Sequence, residues 1–517
     1  MKELIYHRLL LPSVERNHDR VGFVDGAYTA TFAQHLDRVG RVCHALGGLG
    51  VGRHDRFAVM ALNGHSFMEL YHAAFLGAGV INPLNLRLAP KELAYILADS
   101  GSRVCITDAL FAGAIDAVRK QAGIEHVVLI GDGDVPHDAK LEDLLANARP
   151  TIPDEPEEDD PVILMYTGGT TGLPKGVLLD QRAEMLNCYH VSTIFRFSEG
   201  DVFLHQTPMF HAASMGGIVG VPATGARSVF IPLFNPGTVL ELIESHGVAM
   251  TVMVPTMVGM MLAHPDFRPE RLRSLKKLIY GASPMPVALL ERLLGMFPAL
   301  EVYQGYGMTE ASAVLTALGP EEHRRGGALL RSAGRPVAGV VLSIQDSDGR
   351  PLPQGETGEV CARAGNFMRE YWKKPEATSE AFRDGWYHSG DAGYVDERGY
   401  LFLVDRVKDM IVTGGENVYS VEVENAIASH AAVAQVAVIG IPHEMWGEAV
   451  HAIVVLQVGA TVSEEEIIVH ARESIAGFKL PKSIEFRSEP LPLSGALKVL
   501  KRELRKPYWE GRGRAVN

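Results

Sequence analysis

The chain has 517 residues, with 49 Lys and Arg against 62 Asp and Glu (a formal charge of −13), 47% hydrophobic residues and 21% charged residues. That length exceeds what one hydrophobic core usually supports, so two or more domains are expected, and the ordinary composition excludes disordered, fibrous and disulfide-stapled classes. The acidic balance opposes nucleic-acid binding; the scattered Cys43, Cys105, Cys188 and Cys361 lack CxxC spacing and suggest neither a zinc site nor a disulfide framework, and reduced thiols fit a cytoplasm.

The opening MKELIYHRLLLPSVERN puts charges on both sides of a leucine run and offers no small-residue cleavage site, so it does not read as a signal peptide. Later apolar runs are broken by Gly, Pro, His or charge short of the ~18 residues that a spanning helix needs. TFAQHLDRVGRVCHALGGLGV carries helical spacing and stops at glycines, DRFAVMAL reads as a buried strand, and HSFMELYHAAFLGAGVI as a helix running into a strand. This rhythm predicts a parallel α/β sheet. PTIPDEPEEDD at 150–160 is an acidic, proline-rich connector, and PVILMY after it is a strand that delivers a glycine-rich loop. MTVMVPTMVGMMLAHP, LKKLIYGASPMPVALLERLLGMFP and EVYQGYGMTE each place small or polar residues after a strand, where ligands gather in open parallel sheets.

Past residue 340, short strands separated by Asp-Gly, Gln-Gly and Arg-Gly turns predict a small β-rich subdomain, about 335–407. After DRVKDMIVTGGENVYS the pattern becomes α+β, with helix VEVENAIASH, strands AQVAVIG and AVHAIVVLQ, and a helix whose Ser463…Glu466 start resembles a capping box. The expected division is an N-terminal domain over 1–407, a large α/β body with its β-rich subdomain, and a small mobile α+β domain over 408–517.

The glycine-rich loop is YTGGTTGLPKG, residues 166–176. Its glycines let backbone N–H groups turn inward, its threonines add donors, and Lys175 adds charge, a combination suited to a polyphosphate. The Walker pattern fails because Gly176 follows Lys175. GASPM lacks the closing glycine of a hydrolase elbow, GGLGVGRHD and GYGMTE miss the third glycine of GxGxxG, and HEMWGE is not HExxH.

Together with PMFHAASMG (208–216), YQGYGMTE (303–310), WYHSGD (386–391), DRVKDMIVTGGENVYSVEVE (405–424) and LSGALKVLKREL (493–504), the loop resembles the signature of the acyl-adenylate-forming superfamily, which includes acyl-CoA synthetases, peptide-synthetase adenylation domains and beetle luciferases. The resemblance runs from about residue 20 to 505. It implies an ATP-dependent acyl-CoA ligase: a carboxylic acid and ATP give acyl-AMP and pyrophosphate, then coenzyme A displaces AMP.

The same resemblance assigns the site. Thr167, Gly168, Gly169, Thr170, Thr171, Gly172 and Lys175 face the phosphates. Gly281, Ala282, Gln304, Gly305, Tyr306 and Gly307 surround the adenine, and Thr309 reaches a phosphate. Glu310 is the Mg²⁺ carboxylate, Asp391 holds the ribose and Arg406 contacts ribose and phosphate. Lys498 bridges the acid and the α-phosphate, where a flexible ammonium can follow moving charge. Lys408 is the hinge, and Gly414, Gly415 and Glu416 line the coenzyme A passage. Lys501, Arg502, Arg505 and Lys506 read instead as a solvated helix face.

His211 lines the acyl pocket with Met215, Thr256, Ser283 and Met308. Ala212, Ala213, Ser214, Gly216 and Met257 add to a lining of small or apolar residues without fixed charge, which fits an aliphatic or aromatic acid. FHAASMGG lacks the Asp that would hold an amino acid's ammonium. An acyl-AMP ligase or luciferase-like enzyme, using the same adenylate differently, is the alternative. The expected partners are small molecules, with no nucleic acid and no transmembrane segment; a homodimer is left open, and the setting is cytoplasmic.

Overall fold

The structure, a computed structural model, describes residues 2–167, 173–406, 410–413, 416–495, 497 and 499–510, and at 405, 406, 416 and 417 only the backbone. Gly168, Gly169, Thr170, Thr171, Gly172, Lys408, Gly414, Gly415 and Lys498 lie outside the described residues, as do the side chains of Arg406 and Glu416.

Two large sheets form the body. A nine-stranded sheet has Val21–Asp25, Arg227–Phe230, Val202–His205, Met250–Met253, Lys277–Gly281 and Glu301–Tyr306 as parallel neighbours, with antiparallel strands at both edges. An eight-stranded sheet runs parallel from Ala139–Lys140 through His126–Ile130, Val104–Asp108, Arg56–Met60 and Val80–Pro83 to Pro161–Thr167. Parallel strands are buried on both faces, which explains their continuous apolar runs.

The expected elements are present. Thr31 and Gln34 make a reciprocal capping box that starts helix Phe32–Gly48. Helix His65–Ala73 continues into Ala74–Ala78, where Gly77 leaves helical geometry with φ 94, before strand Val80–Pro83.

A third, antiparallel sheet spans Val341–Arg406 and a fourth spans Ile411–Arg487. The fourth belongs to a small C-terminal domain with its own core of Val423, Ile427, Val438, Val450 and Ile467, and Ser463 and Glu466 form the expected capping box there. One segment departs from the expected β-rich subdomain. Glu370–Tyr371 leaves it to pair with Lys175–Asp180, adding a last strand to the eight-stranded sheet. Among the described residues, no helix is long and apolar enough to cross a membrane.

The basic C-terminal helix, Lys501–Trp509, is not uniformly solvated. Arg502 and Lys506 are exposed, but Lys501 lies 2.7 Å from Glu424 and donates to Ser420 at 2.6 Å, and Arg505 is only half-exposed. The helix packs its Leu504 and Tyr508 against the domain's strands, which draws Lys501 inward.

Candidate active site

Four neighbouring parallel strands end at one edge of the nine-stranded sheet, and each is followed by candidate residues. Val202–His205 leads to His211, Met250–Met253 to Thr256, Lys277–Gly281 to Ala282 and Ser283, and Glu301–Tyr306 to Gly307, Met308, Thr309 and Glu310. Carboxyl ends of strands in an open sheet form a ligand crevice.

Gly281 pairs with Gly305 across the last two of these strands, and Ala282 follows with φ 66. Gln304 accepts a 3.2 Å hydrogen bond from Tyr280. The chain then folds sharply back: Leu315 donates its N–H to Tyr306 O at 2.8 Å, and Ser312 and Ala313 have φ 48 and 95. A Cβ on Gly307 would stand 2.0 Å from Ala313 O, so this turn requires glycine. Buried Asn366 donates to Ala311 O at 2.7 Å and to Val314 O at 3.1 Å, clamping the turn from the neighbouring subdomain.

The strand Glu370–Tyr371 lies between two of the sequence motifs. It brings Tyr371 over Lys175, whose Nζ lies 4.7 Å from the ring centroid, and the Tyr371 hydroxyl donates to Glu310 Oε1 at 2.8 Å. One aromatic side chain thus joins the cation of the phosphate-type loop to the carboxylate of GYGMTE. Burial, reinforced by the charge of Glu310, raises the Tyr371 phenol above its ordinary value, so it stays a donor. Thr167 donates to Lys175 O across the same hairpin at a long 3.5 Å.

Tyr306 donates its hydroxyl to Asp391 Oδ2 at 2.7 Å, which links the large body to the β-rich sheet. Asp391 pairs in register with Arg406 on the adjacent strand. His211 caps the short 3₁₀ turn Ala212–Ser214, its Nδ1 accepting from Ala213 N at 3.2 Å. Behind it Ala212, Ser214, Met215 and Met257 are buried.

A loop of the C-terminal domain meets the body here. Arg87 donates to Leu493 O at 3.1 Å and Ser494 O at 3.3 Å, and Thr256 donates to Leu497 O at 3.2 Å. A Cβ on Gly495 would lie 2.3 Å from Asn85 Oδ1, so a larger residue there would push the Asn85 side chain aside. Leu497 packs onto the body's core.

Among the described candidates, Thr167, Lys175, Glu310, Tyr306, Asp391, Thr256 and His211 therefore sit on elements that converge. Tyr371, Asn366 and Arg87 fall in no recognisable motif, and each acts through a partner distant in sequence.

Residues 11–372 match the model of the AMP-binding enzyme and residues 422–498 that of the AMP-binding enzyme C-terminal domain. The chain belongs to this acyl-adenylate-forming family. Feruloyl-CoA synthase of an Amycolatopsis species is 37% identical over 93% of this chain and 95% of its own. Fatty acid–acyl-carrier-protein ligase ScoC of Streptomyces coeruleorubidus is 36% identical over 95% of this chain and 93% of its own. The crystal structure of anthranilate CoA ligase AuaEII in complex with anthranoyl-AMP superposes with a TM-score of 0.91, at 27% identity, covering 98% of this chain and 97% of that one.

Proposed function

We propose that this family member is an ATP-dependent acyl-CoA ligase for an aliphatic or aromatic carboxylic acid. The acid's carboxylate oxygen attacks the α-phosphorus of ATP, the bond to the bridging oxygen breaks, and pyrophosphate leaves an acyl-AMP. The thiol of coenzyme A, losing its proton, then attacks the acyl carbon, and AMP departs. The observation that carries this reading is the chain of contacts Lys175–Tyr371–Glu310 beside Tyr306–Asp391, two polar links at the same crevice.

Phosphoryl transfer asks a protein mainly for positioning and charge neutralisation. In this reading Lys175, Thr167, Thr309 and loop residues 168–172 hold the phosphates, and Gly281, Ala282, Gln304, Gly305, Tyr306 and Gly307 form the adenine wall. Asp391 and Arg406 take the ribose. Glu310 suits Mg²⁺, a hard cation that prefers carboxylate oxygens with phosphate oxygens completing its shell; its Oε1 is already oriented by Tyr371. When bound, that ion offsets charge on the leaving phosphates. Lys498 follows charge between the carboxylate and the α-phosphate, and the docking of Leu497 on Thr256 supports its delivery to the crevice.

For the second step, rotation at Lys408, the proposed boundary between domains 1–407 and 408–517, exchanges this loop for Gly414, Gly415 and Glu416 and opens the pantetheine passage. His211, Met215, Thr256, Ser283 and Met308 line the acyl pocket, whose apolar surroundings select by burial at roughly 0.8 kcal/mol per methylene. A cytosolic setting fits the four free, buried cysteines.

The test is a panel of acids, from acetate through palmitate, benzoate and ferulate, scored for acid-dependent pyrophosphate exchange and for CoA thioester. Exchange with at least one acid is expected, and no exchange with any would refute adenylation. Because one relative is an acyl-carrier-protein ligase, carrier-bound phosphopantetheine is offered beside coenzyme A; transfer to the carrier alone would overturn the choice of acceptor.

A further inference from the structure

Three metal-ligating side chains meet in the β-rich sheet without a part in the reaction above. Glu359 and Cys361 stand two positions apart on strand Gly358–Arg363 and so share a face. His388, on strand Trp386–Val395, lies opposite Cys361 in register, while Glu359 pairs with Ala392. The surplus residues form a bulge on the His388 strand, where Gly390 has φ 71. The bulge turns Gly390 N onto Glu359 Oε1 at 3.0 Å, which fixes that carboxylate and leaves Oε2 beside His388.

His388 Nδ1 is 2.8 Å from Glu359 Oε2 and 3.3 Å from Cys361 Sγ, and the three donor atoms all lie within 4.8 Å of one another. The Arg383 guanidinium also reaches Nδ1, at 2.7 Å, and Glu359 Oε2, at 3.4 Å. With a lone pair on Nδ1 the ring accepts from the guanidinium but turns that lone pair on the Glu359 carboxylate, and with a proton on Nδ1 the carboxylate is served but the guanidinium faces an N–H, so neither neutral tautomer satisfies both. A cation between the ligands would serve lone pair and carboxylate together. A tetrahedral ion separates sulfur, nitrogen and oxygen donors by about 3.3–3.6 Å, so accepting one opens the His388–Glu359 pair by about half an ångström and draws the Cys361 sulfur and the Glu359 oxygen together by at most about 1.3 Å.

We propose that Glu359, Cys361 and His388 bind a divalent ion of the zinc class, with the Arg383 guanidinium as the cation it displaces. The mixed sulfur, nitrogen and oxygen donor set is borderline-soft and selects zinc over magnesium, which takes oxygen ligands. The ion replaces the Cys361 thiol proton, which passes to solvent. Arg383 is 53% exposed in its side chain and is able to swing outward, whereas His388 is 8% exposed and held. Because the same bulge runs directly into Asp391, an ion here ties down the strand that presents that carboxylate to Tyr306.

The test uses the full-length chain, stripped with a chelator and titrated with Co²⁺ in excess Mg²⁺. A thiolate-to-cobalt charge-transfer band with tetrahedral d–d absorption is expected, saturating at one ion per chain and displaced by Zn²⁺. Cys361→Ser should abolish the charge-transfer band, and Glu359→Gln or His388→Gln should weaken binding tenfold or more. Arg383→Met retains all three ligands, changes a side chain that is half-exposed, and should tighten binding severalfold. Absence of the band in the unmodified chain, its persistence in Cys361→Ser, or unchanged affinity in Arg383→Met would overturn the proposal.

Discussion

Replacing Arg87 with Ala probes how the C-terminal loop is held against the body. Arg87 makes two hydrogen bonds to carbonyls of Leu493 and Ser494 at an exposed site; after solvent screening the pair is worth about 1 kcal/mol. The part-buried Thr256 bond to Leu497 contributes about another 1 kcal/mol. Since ~1.4 kcal/mol is tenfold in an equilibrium, Arg87→Ala or Thr256→Val alone shifts the loop about fivefold toward release, and the double variant about thirtyfold. The loop carries Lys498, so the loss should fall on adenylation. Single-turnover pyrophosphate release measures that step, and thioester formation from supplied acyl-AMP and coenzyme A measures the other. Adenylation should slow by up to these factors while the second step holds or quickens. Equal loss in both steps, or unimpaired adenylation in the double variant, would refute the reasoning.

Tyr371→Phe keeps the ring over Lys175 but removes the hydroxyl on Glu310, a hydrogen bond to a charged group worth about 1.5–3 kcal/mol; acid-dependent pyrophosphate exchange should fall roughly ten- to a hundredfold, and a wild-type rate would dismiss the bridge. Lys498→Ala should cripple adenylation and spare thioester formation from supplied acyl-AMP; equal damage to both would contradict its proposed role. Gly307→Ala forces a methyl onto Ala313 O, so ATP binding by calorimetry should be lost or the protein should melt several degrees lower, and neither effect would mean the turn is not tight.

Glu184 is buried beneath the Tyr306 turn, and burial pushes its carboxyl up to about 8. The folded state therefore binds a proton that the unfolded chain releases, so this group lowers stability as pH rises from about 4.5 to 8, by about 1.4 kcal/mol per unit. Glu184→Gln should flatten that slope in urea denaturation measured between pH 5 and 8, whereas an unchanged slope would assign the pH dependence elsewhere.

Local chemistry made much of the molecule legible. Helical spacing ended by glycine, the Thr31 and Ser463 capping boxes, and the apolar runs of the parallel strands all depend on neighbours within a turn or a hairpin, and the structure reproduces them. GYGMTE is legible for the same reason: the turn that follows Tyr306 requires glycine at 307. The departures arise where distant segments meet. The basic C-terminal stretch read as solvated, yet packing of Leu504 carries Lys501 to Glu424. Cys361 has no CxxC partner, and only the register of two strands with a bulge sets it beside His388 and Glu359.

By itself, then, the sequence determined the family, the order of its α/β elements and which residue types crowd the phosphate-type loop, because these are short-range properties of backbone geometry and burial. Tertiary structure alone decided that Tyr371 joins Lys175 to Glu310, that Asn366 clamps the turn after Tyr306 and that Arg87 holds the C-terminal loop. Those contacts depend on strand register and on the docking of one domain against another, and a pairing between segments 55 to 406 residues apart leaves no local pattern at either end.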